Sequence, residues 1–300
     1  MRAVRFSRFG GPEVLELADL PEPHPESGEV RIVVRAAGIS LSDARKRQGL
    51  MDQELPQTLG YEAAGVVDEL GEGVTDVAVG DQVFGFCGAG AAQAESAVLS
   101  FYAPIPSSIG FASAAALPAA IETAMRALDQ LGVSAGSSVL ISGASGSIGS
   151  AAVQLAVARG ARVIGTAAAA NQQLLGLLGA EPVVYGEGLS GRVRELAPGG
   201  VDFALDVAGS GILPELIGLA GGPQQVLTVA DFLGAQQYGV RFSRGDSGRA
   251  LHALTEIGPL IASGRFQLPP VRGFPLAEVA DAHRAIEAGA ASGKLVLLAG

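Results

Sequence analysis

Cysteine occurs once in the 300-residue chain, histidine three times, and aromatic residues make up 5 %. A single thiol excludes an internal disulfide and a cysteine-rich zinc site. Three histidines leave little from which to assemble a histidine-based metal centre. Positive charge is also short: 20 basic residues face 30 acidic ones, a formal net charge of −10. Surfaces that track nucleic-acid phosphates need the opposite balance, so nucleic acid is not an expected partner. The opening residues MRAVRFSRFGGPEVLEL hold no apolar run of signal-peptide length. Two alanine-rich stretches, 112–131 and 148–170, are interrupted by Glu122, Arg126 and Asp129, and by Arg159 and Arg162. A charge at mid-membrane costs roughly 2.5–3.5 kcal/mol. Both stretches therefore read as segments buried in protein, no membrane partner is expected, and a reducing cytoplasm is the expected setting.

Apolar residues are plentiful at 48 %, with 17 % charged, so a large core is available. The length favours two domains. The first hundred residues read as short strands punctuated by Gly and Pro: Val30 to Val34, Glu62 to Leu70 and Gln82 to Phe86. That grammar suggests a barrel-like or sandwich unit. From Ala112 the segments alternate. Helices are expected over 112–131, 148–159 and 171–178. Strands are expected over 138–142, 162–166, 182–185, 201–207 and 225–229. Alternation of this kind implies βαβ units and a parallel sheet covered on both faces. After Leu260 short β segments return, with a helix over 277–288 and a strand over 294–298. The economical reading is an α/β domain (112–259) inserted into a domain made from both chain ends (1–111 with 260–300).

Residues 138–149 read Ser-Val-Leu-Ile-Ser-Gly-Ala-Ser-Gly-Ser-Ile-Gly. A buried strand, a glycine-rich turn and an immediate helix form the context of a dinucleotide fingerprint. Its variant here is A-x-G-x-x-G, on Ala144, Gly146 and Gly149. Gly146 lets backbone approach a diphosphate, and Gly149 lets helix pack on strand. Ser145, Ser147 and Ile148 complete the expected loop, whose N–H groups face an anion at the positive end of a helix. The end of the next strand selects the coenzyme. A carboxylate there binds the ribose hydroxyls of NAD. The sequence Thr166-Ala167-Ala168-Ala169-Ala170-Asn171 has none, which leans toward NADP. Thr166, Asn171 and Tyr185 are the candidate hydrogen-bonding groups around the 2′-phosphate.

Taken together, several segments resemble the medium-chain dehydrogenase/reductase superfamily, in its zinc-free quinone oxidoreductase-like branch. They are MRAVRFSRFGGPEVLEL, AAGISLSDARKRQG (36–49), LGYEAAGVVDELGEGVTDVAVGDQVFGF (59–86), SGASGSIGSAAVQLA (142–156), LDVAG (205–209) and SGKLVLL (292–298). The resemblance implies an α/β fold: a doubly wound parallel-sheet Rossmann domain inserted into a GroES-like distorted β-barrel catalytic domain, with the coenzyme in the cleft between them. It implies NADPH-dependent hydride transfer to a quinone or an activated C=C bond, and a homodimer joined near Tyr238 to Phe242. Zinc-bearing relatives carry their metal on a cysteine and a histidine where Ser40 and Tyr61 stand here, so no metal is expected. Ser40 and Tyr61 are instead the candidate hydrogen-bond donors to the oxygen that gains charge. Asp43 is expected to cap the following helix, and Cys87 to be buried filler. Thr123 is the candidate neighbour of the nicotinamide. The backbones of Val207, Ala208, Val229 and Ala230 are candidates for its carboxamide, and Lys294 matches the family's closing Gly-Lys. Two alternatives remain open: an enoyl or other tailoring reductase of a polyketide-like pathway, and a coenzyme-binding sensor or structural protein without turnover.

Overall fold

In a computed structural model of the protein, residues 1–88, 90–245, 248–289 and 293–300 are described. Ser292, first residue of the SGKLVLL segment, lies outside them. The chain divides into two compact units. One comprises Met1–Ala119, Leu254–Gly258 and Leu268–Gly300; the other comprises Ala120–Ala253 and Pro259–Gln267. The sequence reading puts the first switch after Phe111. By its contacts the helix Phe111–Ala115, which buries Ala114 and Ala115, goes with the first unit.

The first unit is built on the long strand Val30–Ile39. Val30, Ile32 and Val34 point to the core while Val33 is exposed, the period of two that β structure imposes. Near Ala36 the register with Glu62–Leu70 shifts, and Ala36 to Ile39 are all buried. A bulge of this kind bends a strand and re-aims its side chains. Lys294–Leu298 and Ser96–Leu99 also pair antiparallel with the long strand. Gln82–Phe86 and Phe101–Pro104 continue the sheet on one side, and Val271–Pro275 ends it on the other. Arg2–Phe6 lies between Glu16–Asp19 and Gln57–Thr58 in a second small sheet. Phe6, Ile32, Ile39, Leu59, Leu99 and Leu297 share one core.

In the second unit six strands run parallel among the described residues. Across the sheet they lie in the order Glu181–Val184, Arg162–Ala167, Ser138–Ser142, Phe203–Asp206, Val226–Thr228 and Arg241–Phe242. The chain reverses direction across the sheet between Ser138–Ser142 and Phe203–Asp206, where this fold class binds ligands. Val139, Leu140 and Ile141 are fully buried, as expected of a strand covered on both faces. The single helix expected over 112–131 is two, Phe111–Ala115 and Pro118–Leu131. Pro118 disfavours helical backbone at the residue before it and is itself suited to a helix start. Leu189–Leu196, Leu213–Ala220, Phe232–Tyr238 and Ala253–Ala262 are helices that the sequence reading does not resolve. Phe232–Tyr238 takes in Tyr238, so the edge strand expected there is only Arg241–Phe242. Among the described residues no helix is long and apolar enough to cross a membrane.

Candidate functional site

After the strand Ser138–Ser142 the chain turns at Gly143, whose φ of +79° suits glycine. The Gly143 N–H donates to the Thr166 hydroxyl at 3.3 Å, and the Ala144 N–H to the Thr166 carbonyl at 2.9 Å. The turn is thereby tied to the next strand. Gly146 caps the helix Ser147–Ala158 with no side-chain partner. Among the described residues the N–H groups of Ser147, Ile148 and Gly149 find no acceptor. Three bare amides at the positive end of a helix fit a diphosphate. The two glycines differ in the space around them. A Cβ on Gly149 would lie 2.2 Å from the Gly143 oxygen, so helix and turn touch there. A Cβ on Gly146 would meet only that same oxygen, at 3.5 Å, leaving its outer side clear of protein.

The candidates beside this loop differ in kind. Thr166 is buried and its hydroxyl already serves Gly143. Asn171 donates through Nδ2 to the Ser145 hydroxyl at 3.3 Å, so it braces the loop. Tyr185 is exposed just past Glu181–Val184. No carboxylate lies among 166–171.

In the first unit a second polar cluster forms where Val30–Ile39 ends. The carboxylate of buried Asp43 accepts from the Ser40 N–H (2.8 Å), the Ser40 hydroxyl (2.9 Å) and the Gly60 N–H (3.1 Å). It closes a capping box on the helix Leu41–Arg47, the role expected of it, and pins the turn before Tyr61. Burial pushes the Asp43 carboxyl upward, against the opposing effect of those bonds and of Lys294. The Ser40 hydroxyl, the other candidate donor beside Tyr61, is thus already bonded to Asp43. Next to Tyr61, Glu62 forms a buried ion pair with Lys294 at 2.5 Å and accepts the Ala119 N–H at 2.7 Å. Gly38 makes room for it: a Cβ there would lie 2.3 Å from a Glu62 oxygen. Lys46 is buried, its ammonium 5.5 Å from the centre of the Tyr61 ring.

Both units have counterparts among known proteins. Residues 26–125 match the alcohol dehydrogenase GroES-like domain family, and 178–297 the zinc-binding dehydrogenase family. The chain is 32 % identical to the NADPH-dependent alkenal/one oxidoreductase of Arabidopsis thaliana, over 99 % of this chain and 79 % of that protein. It is 33 % identical to the spectinabilin polyketide synthase system protein NorB of Streptomyces orinoci, over 98 % of this chain but 14 % of that protein's length. The Escherichia coli quinone oxidoreductase solved with NADPH superposes with a TM-score of 0.85 and 27 % identity, covering 99 % of this chain and 100 % of that one. The chain belongs to the medium-chain dehydrogenase/reductase superfamily. Within it, the match falls in the quinone oxidoreductase-like branch, whose members are oxidoreductases with a GroES-like and a Rossmann domain.

In this superfamily member the strand ends of the Rossmann unit are organised by a residue the sequence reading passes over. Asp206 is fully buried, and its carboxylate accepts from the Ala208 N–H (3.1 Å), the Gly209 N–H (3.2 Å) and the Thr228 hydroxyl (2.8 Å). The Thr228 oxygen in turn accepts from the Ala230 and Asp231 N–H groups, each at 3.1 Å. The loops carrying Val207, Ala208, Val229 and Ala230 thus share one buried anchor. An acid between apolar residues at a strand end, as in Leu205-Asp206-Val207, is the signal that points to it. Thr123 sits on the helix Pro118–Leu131 and donates to Glu122 at 3.4 Å. Buried Arg126 pairs with Glu122 at 2.8 Å and bonds the Ser243 hydroxyl.

Lys294, a candidate coenzyme-binding residue by the resemblance, belongs to the first unit, where it is buried and paired with Glu62. Among the described residues no three His, Cys, Asp or Glu could hold a metal ion. His24 pairs with Glu69, and His252 with Asp129. Cys87 is buried, and its N–H donates to the Tyr61 carbonyl at 2.9 Å.

Proposed function

We propose that the protein is an NADPH-dependent reductase that delivers a hydride to a quinone or an enone without a catalytic zinc. The observation that carries this reading is the cluster of bare N–H groups on Ser147, Ile148 and Gly149, beside a strand end with no carboxylate. The amides hold the diphosphate. Ser145, Asn171 and Tyr185 offer neutral hydrogen bonds to a 2′-phosphate that a carboxylate would repel. The Asp206-anchored loops at Val207–Ala208 and Val229–Ala230 offer backbone groups to the carboxamide, and Thr123 borders the ring. When bound, the coenzyme supplies the hydride. Tyr61 donates a hydrogen bond to the substrate oxygen as it gains charge, and then its proton. Ser40 and Asp43 hold the turn that carries Tyr61. Zinc independence draws support from the donor set, because Ser40 serves Asp43 and Glu62 is neutralised by Lys294.

The kinship to a polyketide synthase favours a second reading, reduction of an enoyl thioester. A panel of quinones, small enones and enoyl thioesters with NADPH distinguishes the two. Turnover of quinones or enones but not thioesters is the expected result; thioesters alone turning over supports the alternative. NADPH bound but oxidised by none of them supports a non-catalytic protein. The reading includes a homodimer paired along the short edge strand Arg241–Phe242, beside which Phe232 and Leu233 are exposed. Light scattering tests this, and a monomer ends it.

A further inference from the structure

The helix Leu41–Arg47 carries a charged group for which the proposed reaction has so far given no use. Lys46 lies on this helix with its side chain 10 % exposed, its ammonium over the face of Tyr61 at 5.5 Å from the ring centre. That is within range of a cation–π attraction. An ammonium held this far from water needs compensation. The compensation found here is thin. The one carboxylate near it is Asp52, at 4.0 Å and mostly exposed, and among the described residues the ammonium makes no hydrogen bond. Glu62, next in sequence to Tyr61, contributes nothing to it, since Glu62 is paired with Lys294. Gly90 borders both groups at once. With φ at +68°, a Cβ there would stand 3.2 Å from Tyr61 Cε1 and 3.7 Å from Lys46 Nζ. Backbone without a side chain closes this corner, which keeps cation and ring together.

We propose that Lys46 is a positioning residue for Tyr61: its charge favours the phenolate that remains once Tyr61 has given up its proton. The inference rests on the role of Tyr61 proposed above. After hydride addition to the β-carbon of an enone, the substrate is an enolate. The Tyr61 O–H bond breaks, its proton passes to the enolate, and its electron pair stays on the phenol oxygen. Water then returns a proton to that oxygen. The hydride brings both electrons, so the cation is needed only to make the transient phenolate less unfavourable. Among the described residues, the charged and titratable groups around Tyr61 include Lys46 over its ring, Asp52 at 4.0 Å from the Lys46 ammonium, Glu62 next to it in the chain and Cys87, whose backbone N–H donates to the Tyr61 carbonyl. Of these, Lys46 alone brings positive charge that no buried acid cancels.

The test is ultraviolet difference titration of the ligand-free protein, with Tyr61→Phe isolating the Tyr61 signal. Tyr102 does not interfere, because burial and its bond to Asp76 push it up to about 12. Lys46→Met should move the Tyr61 midpoint upward by about one pH unit, the effect of losing a nearby opposite charge. Lys46→Arg should restore it. With NADPH and an enone, Lys46→Met should lower kcat about tenfold and shift the alkaline limb of its pH profile in the same direction. Lys46→Gln replaces Lys46→Met if the latter does not fold. A folded variant without the charge but with an unchanged Tyr61 midpoint overturns the proposal, as does an unchanged kcat profile. The midpoint is read without substrate, so it judges Lys46 even where the substrate panel contradicts the reductase reading.

Discussion

Two glycines three residues apart carry opposite burdens in the turn after Ser142. Gly149 has no room for a side chain: a Cβ would lie 2.2 Å from the Gly143 oxygen and 2.7 Å from Ala144 Cα, both backbone. Gly146 has room on the protein side, and its bareness matters only to something that approaches from outside. Gly149→Ala should therefore destabilise the fold by about 1–3 kcal/mol, the usual result of overpacking. Gly146→Ala should leave the unfolding free energy from urea titration within about 0.5 kcal/mol of wild type while weakening coenzyme binding. Equal loss of stability in both variants contradicts this division. The sequence makes both glycines legible because the fingerprint is local. Lys294 and Glu62 stand at the other extreme. Their pairing joins strands from opposite ends of the chain, and nothing within either segment announces it. Tyr61 and Lys46 are intermediate: the resemblance marks the first, and only the fold brings the second to its ring.

The helix Val279–Glu287 packs against Leu41–Arg47 through a polar seam. Arg47, fully buried, bonds Glu287 and the Gly10 carbonyl, and Gln48 donates to Glu287 at 2.9 Å. One turn before Glu287, His283 is fully buried, and neither ring nitrogen has a partner. Burial, then the charge of Arg47, pushes its pKa down to about 4. The unfolded chain thus binds this proton near pH 6.5 and the folded protein only near 4. Stability is complete above pH 6.5 and falls as pH drops from 6.5 to 4, by about 3 kcal/mol at the acid end. Urea unfolding across that window measures it, and His283→Leu should flatten the slope. A slope unchanged in the variant assigns the acid sensitivity elsewhere. His283 reads from sequence only as a helical histidine; its isolation from any partner depends on which helix covers it. The elements themselves were partly legible. Strands with unbroken apolar runs stand out, whereas Leu213–Ala220 hides behind Pro214 and Gly218, residues that lower a helical signal although Pro suits a first turn.

The parallel sheet and the separate, mainly antiparallel sheet unit were legible in the molecule as a whole, because the change from strand-rich to alternating grammar is long and regular. Where one unit gives way to the other was less so. The chain returns to the first unit at Leu254–Gly258 and again at Leu268, inside and just beyond the helix Ala253–Ala262, and hydrophobic periodicity carries no mark of such exchanges. What binds the account together is the proposed coenzyme site, its diphosphate on bare backbone amides and neutral groups where a selecting carboxylate would stand. Calorimetric titration of the ligand-free protein with NADPH and with NADH, repeated on Gly146→Ala, tests that most directly. The account predicts that NADPH binds more tightly than NADH and that Gly146→Ala loses at least tenfold in affinity for both. Tighter NADH, or undiminished binding to the variant, would contradict it.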